Sequence, residues 1–185
     1  STGLATIDTL TINTTLPARN LFLYVITGYY QNHFYFHHYP GVIPNDLYYS
    51  ACIILDCLCR FDQCSLIKPA TEPLAMYNSY LDNKSLQFKP DHNFIDLINQ
   101  AEAIIIDAPT TTLLESLTTK KPIFLLTKYI QLTPLADELL RKRAICENNI
   151  LNLIEKIKHF AFSGEYSADV FNDEYLKAFG TFMND

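Results

Sequence analysis

Short apolar runs alternate along the chain with segments whose apolar residues recur at helical spacing. Residues 21–27 (LFLYVIT), closed by Gly28, are β-branched and aromatic and predict a buried strand. Residues 46–60 carry Leu47, Ala51, Ile54, Leu55 and Leu58 on one side, which predicts a helix capped by Asn45 or Asp46. A strand over 65–68 stops at Pro69, a helix or turn follows near 72–82, and a short strand over 86–88 stops before Pro90. Asp91 opens a helix over 91–100, with Phe94, Leu97 and Ile98 on one face. Residues 103–107 (AIIID) form the clearest strand, because its continuous apolar character suits burial on both faces. Further helices are predicted over 111–119, 132–142, 148–162 and 168–180, with strands over 122–126 and 144–146.

Strand and helix thus alternate six times. That alternation predicts an α/β fold, Rossmann-like, with helices on both faces of a mostly parallel six-stranded sheet. Residues 1–20 are Thr-rich, contain Pro17 and show no period, so they read as a lead-in or linker to one domain over 21–185.

Composition narrows the picture. Of 185 residues, 49% are hydrophobic and 18% charged, which excludes general disorder. The net charge is −6 and no third of the chain is basic, so a nucleic-acid surface is not expected. No apolar run approaches the length of a membrane helix, and no signal-peptide pattern opens the chain. The five Cys are an odd number at spacings that match no common zinc or redox pattern, and they read as small buried hydrophobes in a reducing compartment. There is no Trp, but there are 12 Tyr and 12 Phe, and seven of the Tyr fall between residues 21 and 50.

In doubly wound sheets the ligand lies beyond the carboxyl ends of the strands, so the residues after each strand are the candidates. After the fourth strand come Asp107-Ala108-Pro109-Thr110-Thr111-Thr112-Leu113-Leu114-Glu115. A helix start with the hydroxyls of Thr110, Thr111 and Thr112 suits a phosphate, and Glu115, one turn in, can accept from ribose hydroxyls. The same residues also read as a capping box, Thr112-x-x-Glu115, which needs no ligand. Lys68 ends the second strand, where its ammonium could meet a phosphate or simply be solvated. Thr127, Lys128 and Tyr129 follow the fifth strand and could face the same cleft.

Gly28 opens a long aromatic loop containing His33, His37 and His38. Such a loop can stack on a base or sugar and move protons, or it can anchor a neighbouring domain or subunit. The three His are the candidate catalytic residues, but H-x3-H-H lacks a nearby carboxylate, so a metal set is not expected. The absence of G-x-G-x-x-G, Walker A and G-x-S-x-G motifs argues against a dinucleotide dehydrogenase, a P-loop ATPase and an α/β-hydrolase.

The stretch from Leu97 through Asp107-Ala108-Pro109-Thr110-Thr111-Thr112-Leu113-Leu114-Glu115 to Lys120-Lys121-Pro122-Ile123, with the earlier Leu66-Ile67-Lys68-Pro69, resembles the C-terminal domain of GT-B glycosyltransferases. The likeness is nearest to bacterial surface-carbohydrate enzymes, including glycerophosphotransferase-like proteins of cell-wall polymer synthesis. It covers residues 60–165, and its motifs are shared with nucleotide-sugar epimerases. The resemblance implies a nucleotide-sugar donor, no metal and no further cofactor, and a site placed by Gly28, Lys68, Thr110, Thr111, Thr112 and Glu115. Thr110 to Thr112 fall where the family's turn meets the donor pyrophosphate, and Glu115 falls where the family's acid meets the ribose. The family's His after Lys-Pro is Ala70 or Thr71 here, and the Gly before its Lys-Pro is Lys120. The resemblance further implies a second, N-terminal domain or partner chain, and a cytoplasmic location with peripheral contact at the inner membrane face left open. A non-catalytic Rossmann-like interaction module, or a fragment of an epimerase, is the alternative.

Overall fold

The structure, a computed structural model, describes residues 20–27, 44–69 and 74–180. The lead-in and the aromatic loop, with Gly28, His33, His37 and His38, lie outside the described residues, as do Ala70 and Thr71.

Six strands form one sheet among the described residues: β1 (Asn20–Ile26), β2 (Ser65–Pro69), β3 (Leu86–Phe88), β4 (Ala101–Ile106), β5 (Ile123–Leu126) and β6 (Ile145–Glu147). Every pairing is parallel, and the order is β3-β2-β1-β4-β5-β6. β1 runs from Asn20 opposite Ala101 to Val25 opposite Ile106, and on its other side from Leu23 opposite Leu66 to Ile26 opposite Pro69. The fold is therefore a three-layer, Rossmann-like α/β/α arrangement, its sheet wholly parallel.

Seven helices among the described residues cover it: α1 (Pro44–Leu58), α2 (Asn78–Leu81), α3 (Phe94–Ile98), α4 (Thr111–Leu117), α5 (Pro134–Arg143), α6 (Ile150–Ser163) and α7 (Glu174–Phe179). None of the helices among the described residues is long and apolar enough to cross a membrane. Successive strand side chains point to opposite faces, and both faces are buried. Phe22, Tyr24 and Ile26 of β1, Ala103 and Ile105 of β4, and Phe124 and Leu126 of β5 meet Ile54, Leu55 and Leu58 of α1 and Leu153, Ile157 and Phe160 of α6. Within this layer Phe124 and Phe160 meet edge to face at 5.5 Å, and Phe22 packs 5.9 Å from Phe160. On the other face Leu23, Val25, Ile104, Ile106, Ile123 and Leu125 meet α3, α4, α5 and α7 through Phe94, Leu97, Leu113, Leu117, Leu140 and Leu176. Crossovers before and after a reversal of strand order cover opposite faces when all are right-handed, and α1 and α4 do so here.

Several boundaries differ from the sequence expectation, each for a local reason. α1 begins at Pro44, ahead of the expected Asn45 or Asp46 cap, which places a proline in its first turn, where no N–H is needed. Asn93, not Asp91, caps α3, its side chain accepting from the Ile95 amide at 3.2 Å, so the helix is five residues long. The segment near 72–82 splits into a 3-10 turn (Leu74–Tyr77) and α2. The last helix starts only at Glu174, because the Asp169 amide is bound to the Lys142 carbonyl at 2.9 Å, which ties the preceding chain to the end of α5. Thr133 caps α5 with Pro134 at its first position, Asn149 caps α6, and Gly164, at φ 72°, ends α6 in the left-handed conformation glycine tolerates.

Arg143, in the last turn of α5, is 1% exposed. Its Nη2 donates to the carbonyls of Thr119 at 2.5 Å and Lys121 at 3.1 Å, in the connection from α4 to β5. Burial lowers its proton affinity, and none of the ion pairs among the described residues includes it. Lys121 donates to the Ala101 carbonyl, and the ammonium of Lys120 sits 5.1 Å from the centre of the Phe171 ring. These cations brace the backbone between α4 and β5. Arg143→Ala leaves two buried carbonyls unpaired and opens a cavity, so chemical denaturation should show a loss of about 2–4 kcal/mol. Arg143→Met keeps much of the volume and removes the buried charge, so its loss should be the smaller of the two.

Candidate ligand crevice at the strand-order reversal

The reversal lies between β1 and β4. α1, which follows β1, packs on one face and α4, which follows β4, on the other, and the carboxyl edge at such a reversal is where a doubly wound sheet can open a ligand crevice. Four segments converge on this edge: Thr27 after β1, the end of β2 at Lys68 and Pro69, Asp107 to Thr112 after β4, and Thr127 to Tyr129 after β5.

Asp107 sits at the centre and is 1% exposed. Its Oδ2 accepts the Tyr24 hydroxyl at 2.9 Å and its Oδ1 accepts the Thr27 amide at 2.9 Å. One carboxylate therefore ties the end of β4 to both the body and the exit of β1. Burial pushes its pKa from an ordinary 3.8 to about 6, partly offset by hydrogen bonds from Thr27 and Tyr24. Tyr24 is held well above its ordinary value by burial first and then by the Asp107 charge. Tyr77, 6% exposed in the 3-10 turn, is raised by burial and then by the same charge. Its ring packs 5.7 Å from Tyr48 and 6.4 Å from Phe88.

The Thr turn adjoins this carboxylate. Thr110 is the residue that caps α4 in position, with extended backbone at φ −132° and ψ −169°, yet its side chain bonds no helix amide. Its hydroxyl instead lies 2.6 Å from that of Thr112. Thr112 is the second residue of the helix, so the expected Thr112-x-x-Glu115 capping box is not formed. The helix starts directly after Thr110, ahead of the box residues. Thr111 is exposed, and Glu115 is half-buried, its pKa raised by burial. The Ser116 hydroxyl donates to the Thr112 carbonyl at 2.6 Å.

Lys68 is neither a simply solvated strand end nor a free ammonium. Its Nζ donates to the Pro90 carbonyl at 2.5 Å and so links β2 to the loop after β3. On the β5 side, the Lys128 ammonium is 3.5 Å from Asp46 in the first turn of α1. The Tyr129 hydroxyl donates to the Asp46 carbonyl at 2.7 Å and lies 2.6 Å from Ser50 Oγ. Those polar residues fasten α1 to β5.

The structure therefore brings Thr110, Thr111, Thr112 and Glu115 together beside Asp107, and places Lys68 two strands away from β4. Asp107 is the residue the motif reading passes over. Its signal is an acid directly after the apolar run AIII, where the chain is still fully buried. At the opposite edge a groove of about 220 Å³ is lined by Leu21, Arg60, Phe61, Asp62, Gln63 and Phe162. It lies at the start of β1, remote from the reversal. The described cysteines are free, and burial raises Cys57 to about 11 and Cys146 to about 12, which keeps both as thiols. Comparison with protein families, with curated proteins and with solved structures gives no match.

Asp107 carries a folded pKa above its unfolded one, so its contribution favours folding at low pH and is lost as pH rises through about 6. The shift corresponds to about 3 kcal/mol. Asp107→Asn removes this linkage. Urea unfolding between pH 4 and 7.5 should show the stability gap between wild type and Asp107→Asn moving by up to that amount in favour of Asn as pH rises.

Proposed function

We propose that the chain is a nucleotide-binding half of a GT-B-type glycosyltransferase acting in surface polysaccharide synthesis. Its ligand is a nucleotide-sugar, seated in the crevice between the ends of β1 and β4. The observation that carries this reading is the strand order β3-β2-β1-β4-β5-β6, whose reversal between β1 and β4 is where nucleotide-binding sheets of this order seat their ligand. The sequence stretch that resembles the donor domain folds as the end of α3, β4, the Thr turn, α4 and the start of β5, and its segment from Asp107 to Thr112 lies at that edge.

In this reading Thr111 and its neighbouring hydroxyls meet the diphosphate, and Glu115 meets the ribose. The leaving nucleotide is stabilised by fixed hydrogen-bond donors rather than by a metal. Lys68 contributes through the loop it holds at Pro90. The acceptor and the catalytic base belong to a second domain or partner chain. One observation favours such a partner at this edge: Tyr49, Leu135 and Leu151, near the starts of α1, α5 and α6, are 67%, 56% and 63% exposed. The protein then works in the cytoplasm, with the growing polymer at the inner membrane face.

Titration calorimetry with ADP-, CDP-, GDP- and UDP-sugars tests the reading directly. One of them should bind, and Thr111→Val and Glu115→Gln should each weaken it about tenfold, the size of one hydrogen bond (~1.4 kcal/mol). Both side chains reach solvent, so neither change should lower the unfolding midpoint appreciably. Absence of binding by every nucleotide-sugar would sink the reading.

A further inference from the structure

We infer that Asp107 is a positioning residue that couples anion binding in the crevice to uptake of one proton. The inference rests on the nucleotide reading of this crevice and extends it. Three features of the site lead to it. The carboxylate is 1% exposed and lies three positions before Thr110, so a diphosphate held at the Thr turn adds negative charge beside a buried negative charge. No ion pair among the described residues includes Asp107. It accepts from Tyr24 within β1 and from Thr27 at the exit of β1, the strand that delivers the chain to the other side of the reversal.

Among the described residues the titratable groups around it are few. Tyr24 faces it from β1 and Tyr77 from the 3-10 turn after β2. Cys52 of α1 acts on both of those tyrosines. Both tyrosines are neutral at pH 7 in their ordinary forms, and burial raises them further. Glu115 of α4 is raised by burial alone. Lys68 of β2 is taken up by Pro90, and Lys128 after β5 by Asp46. Among the described residues no cation is paired with Asp107, so a proton is what can neutralise it.

The step balances simply. A proton from solvent joins Oδ2, and the new carboxylic O–H donates to the Tyr24 oxygen, which until then was the donor. Oδ1 keeps the Thr27 amide, so the exit of β1 stays in place while the charge disappears. Burial already brings this carboxyl to about 6, so a modest added field protonates it near neutral pH.

Nucleotide-sugars are the right probes, because their diphosphate diester does not itself titrate in this range. The full chain is titrated at pH 5.5, 6.5 and 7.5, in pairs of buffers with different ionisation enthalpies. The expected result is a several-fold fall in affinity from pH 5.5 to 7.5. A fraction of a proton should be taken up on binding at pH 6.5. Both effects should vanish in Asp107→Asn, and the uncharged nucleoside should show neither. Carbon-13 NMR of the Asp107 carboxyl in the wild-type protein gives a second reading that needs no variant: its midpoint should rise on addition of the nucleotide-sugar. Binding that is independent of pH, proton uptake that survives in Asp107→Asn, or a carboxyl midpoint that does not move would each overturn the coupling and leave the nucleotide reading intact. If no nucleotide-sugar binds at any pH, the nucleotide reading falls and the coupling falls with it.

Discussion

Everything in this fold depends on keeping β1 and β4 dry on both faces. Parallel strands can be paired only through crossovers, and the crossover helices must then cover the sheet. In β1 six successive residues from Leu21 to Ile26 are at most 5% exposed, and in β4 the run from Ala103 to Ile106 is wholly buried. With both faces occupied, neither strand can slip by one residue without moving large side chains such as Phe22 and Tyr24 into the opposite layer. That locked register is what allows a carboxylate at the end of β4 to meet a hydroxyl from within β1 and an amide at its exit.

The same constraint explains how much of the fold can be read from the chain. The strand runs were legible because burial on both sides removes polar residues from them: LFLYVI and AIII contain no charge. The helices were legible wherever an apolar face met the sheet, as in α1 and α6. Ends were less so, because local chemistry competes there. Asn93 and Asp91 are both good caps, and the choice fell to the one whose helix then buries Phe94, Leu97 and Ile98. The stretch before α7 is expected from the sequence to be helical, yet a backbone bond from Asp169 to Lys142 holds it otherwise.

The site was legible in outline and hidden in its contacts. The rule that ligands collect beyond strand ends points to Thr110, Thr111, Thr112 and Glu115 without any structure. What each polar group is bonded to depends on partners far away in the chain. Tyr24 is 83 residues from Asp107, Lys68 is 22 from Pro90, and Tyr129 is 83 from Asp46. Spacing cannot reveal such pairs. For Lys68 the result is a change of meaning, because its charge is used to hold a loop carbonyl, so in the proposed reading a diphosphate would meet hydroxyls more than cations.

Why a carboxylate should sit uncompensated at this point follows from the backbone. Where two crossovers part, the last amide of a central strand loses its next partner in the ladder. On the β2 side the register ends at Ile26 opposite Pro69, and on the β4 side it ends at Val25 opposite Ile106. The Thr27 amide is one residue beyond the first and two beyond the second, at the edge of the buried layer, and an unpaired buried donor costs about 1–3 kcal/mol. Asp107 supplies the missing acceptor and takes the Tyr24 hydroxyl as well, which a neutral backbone carbonyl in its place could do only in part. The arrangement trades one orphaned donor for one strained charge of similar magnitude. In the proposed coupling, that near balance is what would keep the protonation of Asp107 within reach of a ligand's field at the reversal of strand order.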